Sequence, residues 1–306
     1  MDAIFLTSGD VIIDRRFEWA RDLEAKGDLA GAADLLTQTV ELCPGYAAAW
    51  FALGHLRECQ GEAASAIIAF EHAKAIDPED RHGASLRLTR LGAAQSAMSD
   101  GYVRTLFDGY ALTFDAALRT GLGYKAPELI LEAVQAARPT MQFGAALDLG
   151  CGTGLGGAAF RPFCQTLTGV DLSPAMVAQA QGKNIYDRLE TGEAVSFLRT
   201  AAADTARYDL VLAADVLIYI QDIAELFAQS ARVLTADGLI AFSVETHDGE
   251  GVLLRDTLRY AHAPAHVREA IGIAGLHLVS LVPAAVRSEK GAPVRGLVGV
   301  ARKNRD

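Results

Sequence analysis

From about residue 143 onward, short apolar runs alternate with stretches of helical periodicity. The runs cover 145–149, 166–171, 189–192, 208–214, 238–245, 277–281 and 296–301. Each is the length of a strand, and the first five are separated by segments with room for a crossover helix. Such alternation predicts a doubly wound, mostly parallel sheet, and so an α/β fold class. The last two runs follow a predicted helix over 265–274 and read as a closing antiparallel pair. Upstream, helices are predicted from near Gly101 and over 127–137.

The first third of the chain carries a different pattern. Residues 46–79 read YAAAWFALGHLRECQGEAASAIIAFEHAKAIDPE. Trp50, Leu53, Gly54, Ala66, Phe70, Ala73 and Pro78 fall at the spacing of a tetratricopeptide (TPR) repeat. Small residues let paired helices approach, Trp50 and Phe70 fill the space between them, and Pro78 ends the second helix. Moving back 34 residues gives a weaker copy: Trp19, Ala20, Ala32, Leu36 and Pro44, with Arg16 in the place of Trp50. A third helix over 81–98 is expected to cap the array. The organisation read from this is an all-α TPR-like domain over 1–98 and a second domain over 99–306. The boundary falls near 94–100, and 101–137 forms an N-terminal helical or lid segment. Two copies are fewer than the three or so that usually bury a continuous core. The unit therefore either packs or self-associates, or offers a groove to a protein partner.

Composition narrows the function classes. Of 306 residues, 51% are hydrophobic and 22% charged, an ordinary globular balance, and the formal net charge is −10. No basic patch stands out to neutralise phosphates, so nucleic acid is not an expected partner. No run approaches the roughly 18 apolar residues that span a bilayer, and Asp215 interrupts the longest stretch, 210–220. The N-terminal residues lack the basic start and apolar run of a signal peptide. Cys43, Cys59, Cys151 and Cys164 form no C-x-x-C pair and no zinc spacing, which suits reduced thiols in a cytoplasmic protein and gives no metal site.

The sharpest chemical signal is ALDLGCGTGLGG at 146–157. An apolar strand ends at Leu149, and Gly150, Gly152 and Gly154 turn the chain into a helix. Glycine suits a loop whose backbone approaches a ligand or takes positive φ. Gly152, Gly154 and Gly157 also satisfy the dinucleotide pattern G-x-G-x-x-G, a weak signal taken alone. Asp148 extends the motif to D-x-G-x-G-x-G. Asp171 follows at the end of the next strand, in LTGVDLSPAMV, where a carboxylate can accept hydrogen bonds from both hydroxyls of a ribose. Ser173 and Pro174 then start a helix carrying Met176, whose thioether suits an adenine face.

On these residues 143–302 resemble a class I S-adenosylmethionine (SAM)-dependent methyltransferase, with DLGCGTG as the glycine motif and VDLSPAM as the acidic motif. The resemblance implies a seven-stranded Rossmann-like sheet, SAM as cofactor and S-adenosylhomocysteine (SAH) as product. It implies that Asp148 holds the amino group of the methionine part, directly or through water. The backbone of Gly150, Cys151, Gly152 and Gly154 would line that part. Asp171 would bind the ribose, Leu172 and Met176 would sandwich adenine, and Glu193 would stand near the adenine amino group. Asp215, at the tip of the fourth strand, would lie beside the reaction centre. The whole chain resembles bacterial proteins that join TPR repeats to such a domain.

Two further readings concern the lid and the acceptor. Phe107, Tyr110 and Phe114 fall on one face of a predicted helix. Similar segments, Y-A-x-x-F-D followed by L-x-Y-x-x-P, occur in class I methyltransferases, and Tyr102 or Tyr110 would approach the sulfonium through a cation–π contact. Because SAM brings an activated methyl group, the protein mainly positions the nucleophile. An oxygen or amine nucleophile also calls for a base, and the candidates are His262, Tyr219 and Tyr260, with His262 preferred and His247 also considered. The methyl acceptor is an unidentified small molecule or protein. The competing functions are an NAD(P)-dependent oxidoreductase and a non-catalytic SAM-binding TPR scaffold.

Overall fold

Asp10 and Asp28 each stand just before an amphipathic stretch and cap it. The Asp10 carboxylate accepts from the Ile12 and Ile13 amides, starting α1 (Val11–Ala25). Asp28 accepts from Gly31 N–H at 2.9 Å, starting α2 (Leu29–Leu42). Caps of this kind satisfy amides that have no partner within the helix. The computed structural model describes residues 7–95, 97–289 and 291–305, apart from the side chains of Arg119 and Thr120. The start of the chain, where no leader is expected, and Ser96, inside the expected boundary segment, lie outside the described residues.

The chain divides into two units, Met1–Thr105 and Leu106–Asp306. The first continues with α3 (Ala47–Cys59), α4 (Ala63–Ile76) and α5 (Ala84–Arg90). Leu29 and Ala63, which open α2 and α4, are 34 residues apart. Leu36, Leu53 and Leu56 are buried between the helices of the first two pairs. A Cβ on Gly54 would come within 2.8 Å of the Phe70 ring, which is why the smallest residue stands there. Trp50 stacks on His72 at 4.3 Å and donates its indole N–H to the Pro44 carbonyl at 2.9 Å. The expected helix over 81–98 is much shorter. Gly92 takes a left-handed φ of +73°, and the Ala93 amide closes back on the Leu88 carbonyl, an arrangement that ends helices.

The second unit is built on one large sheet. Its helix α6 (Asp100–Tyr110) starts within the first unit, so the division falls inside a helix and not in the preceding loop. There follow α7 (Phe114–Ala116), a π-turn over Ala117–Gly121, and α8 (Ala126–Ala137). The expected single face of Phe107, Tyr110 and Phe114 is therefore broken by a turn after Tyr110. Then come β1 (Phe143–Leu149), α9 (Leu155–Phe160), β2 (Cys164–Asp171), α10 (Pro174–Gly182), β3 (Arg188–Thr191), α11 (Ala194–Ala203), β4 (Tyr208–Ala213), α12 (Ile223–Val233) and β5 (Leu234–Glu245). The chain ends with β6 (Val252–Leu254), β7 (Tyr260–His262), α13 (Pro264–Ile273), β8 (Leu276–Ala284), β9 (Ser288–Glu289), β10 (Ala292–Pro293) and β11 (Gly296–Lys303).

The main strand order is β3-β2-β1-β4-β5-β11-β8, with the short β6–β7 hairpin attached to β5. Neighbours from β3 through β5 are parallel, and β11 is antiparallel to both β5 and β8. All seven sequence-expected strands are present, including the closing antiparallel pair. Side chains alternate between two cores, as pleating requires. Leu147, Leu149, Val211 and Phe242 face α11, α12 and α13, while Ala146, Leu210, Leu212 and Ala241 face α8 and α9. The order reverses between β1 and β4, and in open α/β sheets ligands bind beyond the carboxyl ends of strands at such a point. Among the described residues no helix is long and apolar enough to cross a membrane.

Candidate functional site

The loop leaving β1 is shaped by glycines. Gly150, Gly152 and Gly154 have φ of +60°, +53° and +92°, conformations costly for residues with a Cβ. At Gly150 a Cβ would also overlap a methyl of Val216, the residue after Asp215, so the loop lies directly against the exit of β4. Gly157, third in the dinucleotide-like pattern, is accounted for by packing: a Cβ there would overlap the Tyr186 hydroxyl.

Two carboxylates organise this loop. Asp171 ends β2; its Oδ2 accepts from Gly152 N–H and its Oδ1 from Ser173 N–H, both at 2.8 Å. It thereby ties the glycine loop to the start of α10. Burial pushes the Asp171 carboxyl upward, against the pull of these two amides. Asp148 is 1% exposed and accepts from the Tyr186 hydroxyl at 2.7 Å and from Gly157 N–H. Burial raises its pKa to about 7; the Tyr186 hydrogen bond opposes the rise and the Asp171 charge adds to it. Tyr186 itself is held protonated by burial and by Asp148.

Residues at the end of α6 and in α7 reach the same place. Ser173 caps α10, accepting from Met176 N–H at 3.1 Å, and donates its hydroxyl to Asp108 at 2.6 Å. The Thr153 hydroxyl donates to Asp115 Oδ1, and Lys183 pairs with Asp115 Oδ2 at 2.7 Å. Phe107 packs edge-on against Phe114 at 5.9 Å and Tyr219 at 5.2 Å. The segment 106–121 is thus fastened to both the glycine loop and the start of α10.

Across the crevice, Asp215 follows β4 with φ of +62°, and its amide donates to Ser243 Oγ at 2.8 Å. Its Oδ2 pairs with Nη1 of Arg287, a side chain only 2% exposed. Arg287 also pairs with Glu245 through Nη2 and with Glu289 through Nε at 3.3 Å. Glu245 in turn meets Arg255 at 3.2 Å and Arg259 at 3.1 Å. Burial works against the Arg287 charge, but Asp215 and Glu245 outweigh it and raise its pKa. Tyr124 lies in the field of Asp215, Arg287 and Asp148, and burial above all keeps its phenol protonated.

Several expected site residues are placed differently. His262 is fully buried, its Nε2 meets the Leu217 carbonyl at 3.2 Å, and burial lowers its pKa to about 4. It is a neutral histidine enclosed in the core, where an accessible base was expected. Tyr260 is 3% exposed, with its hydroxyl 3.5 Å from Gln221 Oε1, and is likewise a buried residue. His247 is occupied within its own loop, accepting from Gly249 N–H at 3.1 Å at Nδ1 and meeting the Gly251 carbonyl at 3.3 Å through Nε2. Tyr219 is half-buried under Phe107 at the exit of β4. Tyr110 is 53% exposed, away from the packed face formed by Phe107 and Phe114. Tyr102 belongs to the first unit, where its ring covers Gly83.

Of the adenine candidates, Leu172 is half-buried and Met176 has no exposed surface. Glu193 uses both carboxylate oxygens to cap α11, accepting from Val195 and Ser196 amides at 2.8 and 2.7 Å. Cys151 is a buried thiol whose pKa burial raises. The residues missed by sequence reasoning are Asp108, Asp115, Tyr124, Tyr186, Glu245 and Arg287. Asp115 lay within the Y-A-x-x-F-D segment and Tyr124 within L-x-Y-x-x-P, but nothing local marked Tyr186 or Arg287.

Residues 147–240 match the family model for a methyltransferase domain. That segment is similar to a methyltransferase domain. The matched segment takes in Asp148, the glycine loop, Asp171 and Asp215, and stops short of His262 and Arg287. Among curated proteins, the chain is 41% identical over 85 residues to human methyltransferase-like protein 27, covering 27% of this chain and 34% of that one. It is 29% identical over 113 residues to a ubiquinone biosynthesis O-methyltransferase of Thiobacillus denitrificans, covering 35% and 47%. The chain thus spans about a third to a half of the curated relatives it matches. Solved structures share the α/β fold of the second unit. The cyclase SpnF aligns with a TM-score of 0.56 at 16% identity, covering 69% of this chain and 98% of that one. A Burkholderia thailandensis 1,6-didemethyltoxoflavin-N1-methyltransferase, solved with SAH, aligns at 0.52 and 20% identity, covering 69% and 93%. Fold alone does not fix the reaction, since the first of these is described as a cyclase.

Proposed function

We propose that this chain is a SAM-dependent methyltransferase whose reaction site lies beyond the carboxyl ends of β1, β2 and β4. One observation carries the reading. Asp171, at the end of β2, fastens the positive-φ glycine loop to the start of α10 while keeping a lone pair on each oxygen. A carboxylate has about four acceptor positions, and two amides use two of them. The remaining pair suits the two hydroxyls of a ribose. Gly150, Gly152 and Gly154 form a cradle without side chains, which fits the methionine part of SAM, and Asp148 at its base suits the ammonium group. SAM, when bound, supplies a methyl group activated by a sulfonium. Asp108 and Asp115 brace segment 106–121 over this edge, excluding water from it, and Phe107 and Tyr219 present aromatic surface. Leu172 is the favoured adenine contact, with Met176 backing it from the core.

The dinucleotide reading loses its third glycine, because Gly157 is explained by Tyr186. For the N-terminal unit we propose a TPR-like fold. The 34-residue offset of α2 and α4 and the close approach at Gly54 support it. Its proposed task is to recruit a protein partner or a second copy of the chain. A cytoplasmic setting accords with four free cysteines. The acceptor class is tested by incubating the protein with methyl-labelled SAM and, separately, the small-molecule and protein fractions of a cell extract. Label is expected in one fraction together with release of SAH. No label and no SAH from either fraction would count against turnover.

A further inference from the structure

We propose that Arg287 is a positioning residue that holds Asp215 by Oδ2, leaving Oδ1 to accept a hydrogen from the nucleophile that receives the methyl group. This deepens the methyltransferase reading and rests on it. Four observations converge on Asp215. It follows β4 at the point where the strand order reverses, and its neighbour Val216 lies against Gly150 of the cofactor loop. Its backbone is in the left-handed region, with the amide fixed on Ser243, so the turn that aims the side chain is held in a conformation uncommon for residues other than glycine. Its Oδ2 is taken by a guanidinium that Glu245 and Glu289 anchor from the other side. Its Oδ1 is buried and has no hydrogen-bond partner among the described residues.

A buried carboxylate oxygen without a partner is costly, and a bound ligand is one way in which such an atom is satisfied. Arg287 explains why this carboxylate does not turn to satisfy both oxygens within the protein. A planar guanidinium bridges several carboxylates at once, which a lysine ammonium does less well. The partner that suits Oδ1 is a nucleophile still bearing hydrogen, an amine or a hydroxyl. A carboxylate acceptor would meet an anionic oxygen and be repelled. During transfer the nucleophile's lone pair forms the bond to the methyl carbon, and the carbon–sulfur bond breaks with its electron pair remaining on sulfur. The proton left on the nucleophile is held at Oδ1 and passes to water as product leaves. His247 does not compete for this role, being closed within its own loop.

The test uses two probes that bind without turnover. SAH lacks the transferable methyl, and sinefungin carries a protonated amine in its place. The wild-type protein is expected to bind sinefungin about tenfold more tightly than SAH, the gain of one charge-assisted hydrogen bond. Asp215→Asn and Arg287→Lys should each bring that ratio near one while keeping the wild-type far-UV circular dichroism and measurable SAH binding. A purely structural role for Arg287 would weaken both probes alike and leave the ratio intact, which overturns the positioning role. A wild-type ratio near one overturns the assignment of Oδ1 whether or not the variants fold. Failure of the wild type to bind SAH at all is a different result, and removes the methyltransferase reading itself.

Discussion

Asp171→Ala is expected to weaken SAH binding by about 100-fold or more. Two contributions add. The carboxylate offers two charge-assisted hydrogen bonds to a ribose, each worth roughly 1.5–3 kcal/mol, and about 1.4 kcal/mol corresponds to a tenfold change in affinity. The same carboxylate anchors Gly152 and Ser173, so its loss also frees the cradle before any ligand arrives. Asp171→Asn should be nearly as damaging. An amide keeps one acceptor oxygen but turns an NH2 toward either the Gly152 or the Ser173 amide, setting donor against donor. Calorimetric titration of each variant reads the effect, and a loss smaller than about tenfold for Asp171→Ala would contradict the role given to this residue.

Asp148→Asn is expected to stabilise the ligand-free protein while damaging binding. The Asp148 carboxyl titrates at about 7 in the folded chain because it is buried. In an unfolded chain an aspartate titrates near 3.9. The folded state therefore holds a proton that the unfolded state releases between about pH 4 and 7. The contribution is fully present below pH 4 and is lost as pH rises through 7. At pH 8 the wild type bears the cost of a buried charge, on the order of 2–4 kcal/mol. Asparagine removes that cost and can still accept from Gly157 N–H and meet the Tyr186 hydroxyl. Thermal denaturation at pH 8 should show the variant melting several degrees higher, and the two proteins should converge toward pH 4. A wild type whose stability is flat between pH 5 and 8 would contradict this. Binding should move the other way. An ammonium group beside Asp148 favours the ionised carboxylate, so wild-type affinity for SAH should rise from pH 6 to pH 8, and Asp148→Asn should lose that rise. Such opposition between stability and binding is common where a site holds a strained or buried charge.

Much of this architecture is legible in local sequence. Short continuous apolar runs mark the strands because a sheet covered on both faces buries both sets of side chains, and the glycine loop is marked because positive φ at Gly150, Gly152 and Gly154 leaves little choice of residue. Asp148 and Asp171 stand out for another reason, as acids in the last residues of apolar strands. What escapes is whatever depends on distant pairing. Arg287 meets Asp215 across 72 residues, and Tyr186 meets Asp148 across 38, and no periodicity encodes either contact. His262 misleads for a related reason. A histidine in a short segment, RYAH, reads as reactive, yet β7 lies beside β5 and seals the ring into the interior. Glu193, expected near adenine, caps α11 with both carboxylate oxygens. The helical face drawn through Phe107, Tyr110 and Phe114 fails only in part. The helix breaks after Tyr110, but Phe107 and Phe114 still meet across the turn.

Calorimetric titration of the wild-type protein with SAH and, in parallel, with NADH decides which cofactor the glycine loop takes. Saturable binding of SAH and none of NADH is expected. Binding of NADH without SAH would contradict it and return the glycine loop to the dinucleotide reading.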